Sequence, residues 1–201
     1  MPTDLRSTIF NINLTTESPE CGSLLVAEPF LSEECFNHAV ILLVDHGDDC
    51  PSMGLTLNKK SNYNLSDIVD EVNKKIEVPV FSGGPVGDDR MFYLHTLPGL
   101  FNGSIEVAKG LYIGGDYNQV LEYVNAGYPT DGLLRFYVGY SGWESGQLAK
   151  EIEQNVWAVT KPHNYSKLLT GNPGSLWHKT VSSMGPRYRG WKLHPINPCA
   201  N

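Results

Sequence analysis

The sequence is short of charge and has no long apolar run. Asp, Glu, Lys and Arg make up only 18% of its 201 residues. The longest purely aliphatic stretch, Ala39 to Val44, is far below the ~18 residues of a membrane span. The first residues lack the basic, apolar and small-residue order of a signal peptide. The expectation is therefore a cytoplasmic chain with no membrane partner. None of the four cysteines (Cys21, Cys35, Cys50, Cys199) forms a C-x-x-C pair, which removes the zinc-ribbon and thioredoxin spacings and points to reduced thiols. No two of the six histidines stand at H-x-x-x-H spacing. The acidic run Asp45, His46, Asp48, Asp49, Cys50 departs from the EF-hand pattern and reads as a solvated turn. Neither a P-loop nor a G-x-G-x-x-G occurs. No metal and no cofactor is expected. The net charge of −7 disfavours nucleic acid, because the summed field repels phosphate. The basic clusters Lys59-Lys60, Lys74-Lys75 and Arg187, Arg189, Lys192 come with no helix-turn-helix or other nucleic-acid motif. The total charge describes the whole surface and leaves the clusters to be judged by their own setting.

What is present is turn material. Gly numbers 20 and Pro 13, which suggests many tight turns between short strands. Strands are expected at 22–28, 39–46, 53–59, 78–81, 90–96, 111–114, 133–139 and 156–160. Residues 39–46 are apolar on both faces and read as a central strand covered on both sides. Helices are expected where Leu65, Ile68, Val69 and Val72 recur, around Val120, Leu121 and Val124 up to Gly127, over 144–155, and through Trp177, Val181 and Met184 up to Gly185-Pro186. The order is irregular, without a repeat or a low-complexity linker. It indicates one α+β domain over 21–201 behind an N-terminal arm of residues 1–20.

Several motifs approach known chemistry without completing it. Gly139-Tyr140-Ser141-Gly142-Trp143 is close to a nucleophile elbow in an expected strand–turn–helix setting. Trp143, however, stands where the elbow needs its second glycine. The alternative is a tight turn whose Trp143 anchors the next helix. Phe81-Ser82-Gly83-Gly84-Pro85 echoes a serine-protease motif, but no His or Asp partner motif accompanies it. The alternative is a turn that closes on a neighbouring backbone. Gly114-Gly115-Asp116 opens a helix whose free N–H groups could hold an anion, unless Asp116 caps them itself. His95, on an alternating strand that also carries Arg90, is the histidine most worth testing for acid–base work. The competing reading is a satisfied structural group. Tyr140 and Trp143, at the expected end of a strand, suggest a small-ligand cleft. The candidate ligand-binding set is thus Gly83, Gly84, Arg90, His95, Gly114, Gly115, Asp116, Tyr140, Ser141, Gly142 and Trp143, with no residue assigned as catalytic.

Four segments taken together resemble the bacterial YqgE/AlgH family. They are GSLLVAEPFL (22–31), AVILLVDH…MGLTLNK (39–59), GGP-x4-R…LH (83–95) and GG-D…RFYVGYSGW-x3-QL-x2-EI-x2-N-x-W (114–157). The resemblance runs from about residue 20 to about residue 190. Cys21 and Cys199 depart from the family pattern near the two ends. The resemblance implies a single α+β domain with a bifurcated mixed β-sheet, a small closed barrel and surrounding helices. It implies no known reaction, and the label of transcriptional regulator comes from the naming of one branch. The favoured expectation is a non-enzymatic binding or regulatory module for an unidentified small molecule or protein partner. The alternatives are a hydrolase using Ser141 or His95, and the transcriptional regulator of the family label.

Overall fold

The fold is organised by one strand that pairs with three others. The computed structural model describes residues 17–47 and 49–193. Its strands are β1 (Leu24–Ala27), β2 (Val40–Asp45), β3 (Ser52–Thr56), β4 (Lys60–Asn64), β5 (Pro79–Ser82), β6 (Val86–His95), β7 (Ile105–Ala108), β8 (Leu111–Ile113), β9 (Leu134–Trp143) and β10 (Trp157–Thr160). The helices are α1 (Leu65–Ile68), α2 (Tyr117–Asn125), α3 (Gln147–Glu153) and α4 (Leu176–Ser183). The main path of the sheet is β10-β1-β2-β3-β9-β6-β8-β7, and β4–β5 branches from it. β6 lies antiparallel to β9 from Leu134 to Tyr140. β5 runs parallel to Phe136–Val138, and β3 takes over antiparallel at Ser141–Trp143. The sheet therefore forks along β9, as a bifurcated mixed sheet requires, and curls into a half-barrel with helices around it.

Each face of the fork has its own core. Leu24, Val26, Leu42, Leu55 and Tyr137 pack against Trp177 and Val181 of α4. The alternate residues Leu25, Ala27, Ile41 and Leu43 meet Trp143, Trp157 and, on α3, Leu148 and Ile152. Both faces of β1 and of β2 as far as Leu43 are thus covered, which is why these stretches are apolar at every position. A third cluster joins Val80, Tyr93, Leu134 and Phe136 to Val120 and Val124 of α2. Phe136 and Tyr137 fall in different clusters, as the period-2 alternation of a strand dictates.

Three sequence expectations change. The helix at 65–72 is a single turn. Asp67 caps it by accepting from the Asn64 backbone N–H at 2.8 Å, and Val69 is already extended (φ −126°, ψ 108°). Val69 and Val72 are still buried, carried there by turns. β4 and β7 are additional strands, and the apolar pattern of neither KSNYN nor IEVA marks them. The expected turn Tyr140–Trp143 is strand, the C-terminal end of β9. Burial alternates from Tyr137 through Gly139 and Ser141 to Trp143, but glycine and serine at buried positions hide the period. Of the expected arm, residues 1–16 lie outside the described residues, as do Asp48, His194 and Cys199.

Candidate functional site

The candidate residues separate into four places. The first is the fork itself. The Gly83 N–H donates to Val138 O at 2.8 Å, and Gly83 O accepts from Thr56 N–H at 2.8 Å. A Cβ on Gly83 would lie 2.2 Å from Gly139 O, and one on Gly84 would lie 2.3 Å from Tyr140 C. The Gly-Gly-Pro segment thus closes on a neighbouring backbone. Ser141 is 1% exposed and donates to Gly83 O at 3.3 Å, with Thr56 Oγ1 3.4 Å away. The elbow reading of Ser141 fails for a physical reason: its hydroxyl lies in a continuous strand and is not presented on a strained strand-to-helix turn.

The second place is the turn after β8. His95 is fully buried between Phe101 (edge-on, 4.9 Å) and Tyr112 (stacked, 5.5 Å). Leu97 N–H donates to its Nδ1 at 3.3 Å, so Nε2 carries the proton and faces Gly114 O at 3.1 Å and Ser104 Oγ at 3.0 Å. Burial pushes its pKa down, against the pull of its backbone hydrogen bonds. Asp116 caps α2, accepting from Asn118 and Gln119 N–H at 2.9 and 3.1 Å, and so fills the donors that an anion would use. His95 opposes Leu134, while Ser141 lies seven positions further along β9, up to ~23 Å of strand at ~3.3 Å per residue. His95 and Ser141 do not converge.

The third place is the end of β9. The indole N–H groups of Trp143 and Trp157 both donate to Glu151 Oε2, at 2.8 and 2.7 Å, and Gln147 Nε2 donates to Oε1 at 2.8 Å. Trp143 therefore anchors α3. A hollow of about 400 Å³ adjoins it, lined by Gly142, Pro85, Phe36 and Glu151 among others.

The fourth place holds Arg90. Between Val86, opposite Tyr140, and Met91, opposite Val138, β6 advances five residues while β9 advances two. The surplus forms a wide bulge that lifts Asp88, Asp89 and Arg90 off the sheet. They wall a cleft of about 740 Å³ together with Tyr63 of β4, Ile68 of α1, Val69, Met91, Tyr93 and Tyr117. Tyr93 is held in place by donating to Gly115 O at 2.6 Å. Burial raises the Tyr93 and Tyr117 phenols, helped by Asp116 and Glu71 respectively. Both stay protonated hydrogen-bond donors near neutral pH. Tyr63, Ile68 and Tyr117 are all exposed, so the lip carries apolar and aromatic surface as well. Sequence reasoning reached Arg90 and missed the tyrosines. Tyr63 lies in a polar segment with no visible period, and only β4–β5 pairing brings it to the cleft. Among the described residues, no group of three His, Cys, Asp or Glu side chains is placed to hold a metal ion. No described helix is long and apolar enough to cross a membrane.

Comparison with known proteins agrees with this architecture. A UPF0301 protein of Bacteroides thetaiotaomicron is 37% identical over 198 residues, covering 98% of this chain and all of that one. A UPF0301 protein of Parabacteroides distasonis is 36% identical, covering 96% and 97%. The solution structure of the AlgH protein from Pseudomonas aeruginosa superposes with a TM-score of 0.67 at 26% identity, over 85% of this chain and 92% of that one. A crystal structure from Corynebacterium diphtheriae, 24% identical, shares the fold with a TM-score of 0.64 over 89% and 92%. The family model described as AlgH-like matches residues 24–189, and the chain belongs to that family.

Proposed function

We propose that this protein works as a binding or regulatory module through the Arg90 cleft. One observation carries the reading: the β6 bulge places Arg90, Asp88 and Asp89 at the mouth of a cleft lined with tyrosines. Ser141 and His95, the residues of the hydrolase alternative, are buried, apart, and engaged in holding turns. Tyrosine faces carry negative charge density, and two aspartates outnumber the single arginine. The cleft therefore suits a ligand with an apolar or aromatic body and a cationic group.

The test is a thermal-shift screen of the purified protein against metabolites, nucleotides and cationic aromatic amines. Hits are expected among the amines. They should disappear in Tyr63→Ala and weaken in Asp88→Asn, two exposed positions whose substitution leaves the fold intact. A saturating screen without hits, or hits unaffected by both variants, would sink the proposal. Trp143→Ala is the control for lost structure, because it releases α3.

A further inference from the structure

The N-terminal half of β9 is apolar except for Arg135, which is only 8% exposed. One terminal nitrogen donates to Leu57 O at 3.1 Å and the other to Leu169 O at 2.7 Å. Its Cζ lies 4.3 Å from the centre of the Phe81 ring. Beside it, burial pushes the Tyr137 hydroxyl up to about 12, opposed by the arginine's own charge. Among the described residues no carboxylate forms an ion pair with Arg135. A guanidinium cannot shed its proton, so the fold keeps a permanent cation inside with only dipoles and a ring to offset it.

A pocket of about 300 Å³ opens beside this cation. Arg135, Phe81 and Leu169 line it, and its rim carries the exposed residues Lys60, Glu77 and Asp131. We infer that this pocket is a binding site for a small carboxylate, which Arg135 recognises with the N–H groups its two carbonyl bonds leave over. The planar fork matches a carboxylate in two-point geometry, and low exposure strengthens each contact. Lys60 supplies a second positive charge at the entrance. Glu77 and Asp131 work against ligands of high negative charge and favour one that also carries an ammonium group, such as a free amino acid. The volume, at the lower end of ligand sites, points the same way. The site is separate from the Arg90 cleft and does not depend on it.

The experiment follows the Arg135 Nε–H resonance of the ¹⁵N-labelled full chain during titration with acetate and with glycine, at ionic strength held constant with sodium chloride. The expected result is a saturable displacement by both, with glycine the tighter of the two. Lys60→Met, an exposed change that leaves the fold intact, should weaken both about three-fold, as loss of one exposed charge implies. Arg135→Lys keeps the charge but loses the fork, and should weaken them at least about ten-fold. If that variant does not fold, the titration of the native chain still decides. A resonance that neither ligand moves, or that chloride moves equally, overturns the inference and leaves Arg135 as a tie between Leu57, β9 and Leu169. Tighter binding of ATP than of acetate at the same resonance overturns it too.

Discussion

Two glycine pairs that look alike in sequence are needed for different reasons. Gly83-Gly84 lies where three backbones meet, and a Cβ on either residue would overlap main-chain atoms at 2.2–2.4 Å; at Gly83 the need is for room alone, while Gly84 adds a φ of +152°. Gly114-Gly115 turns the chain from β8 into α2, and the first glycine faces open space at φ +68°. The need at Gly114 is therefore conformational. Gly115 combines both demands, with φ +120° and Phe101 Cβ 2.7 Å from where its own Cβ would sit. A Gly-Gly signal thus marks either a close approach or a left-handed turn, and only the fold tells which.

Four substitutions sharpen this contrast. Gly83→Ala should have the largest effect, about 4 kcal/mol or complete loss of folding, because backbone cannot yield as a side-chain tip can. Urea unfolding measures it, and a loss below about 1 kcal/mol would show that the fork has slack. Gly115→Ala should cost about 2–3 kcal/mol, the sum of a tight contact and a strained φ, read by the same method. Gly114→Ala should cost only about 1 kcal/mol, and Gly114→Asn less, since asparagine tolerates this region. A loss as large as that of Gly83→Ala would erase the distinction.

The smallest effect is a pH dependence confined to the second turn. Burial holds the folded-state pKa of His95 below its ordinary value of about 6.5, so the unfolded chain binds the proton first as pH falls. Its contribution to stability is complete at pH 7 and above. It is lost as pH drops below about 6.5 toward the folded-state value. Urea unfolding across pH 5–8 should show that slope in the native chain and a flatter one in His95→Gln.

The sequence makes parts of this fold legible because their cause is local. β2 is apolar on both faces, and α2 carries Val120 and Val124 before Gly127, whose φ is +75°. Trp177 and Val181 of α4 are buried at the expected spacing. What is hidden arises from pairing. β4 has no apolar pattern because it is largely exposed and held by β5. β9 reads as ending at Gly139, whose φ of +71° is a genuine break in local geometry, yet β3 recruits the next residues into the sheet. The site was visible only as residue types. Arg90 comes from its motif, but the bulge that raises it depends on register. Arg135 could have been noticed as the lone charge in an apolar strand, and nothing local says that it has no acidic partner among the described residues.

The triple pairing of β9 also has a consequence for how the chain folds. Its partners β3, β5 and β6 all lie upstream, so each ladder closes a loop: those with β5 and β6 need the chain as far as residues 138 and 140, and that with β3 needs residue 143. During synthesis the first two-thirds of the chain carries three strands awaiting the same edge-maker. Once β9 docks, it locks them together. The amides of Phe136, Tyr137 and Val138, in a segment flanked by β5 on one side and β6 on the other, should therefore exchange with solvent only when the whole domain unfolds.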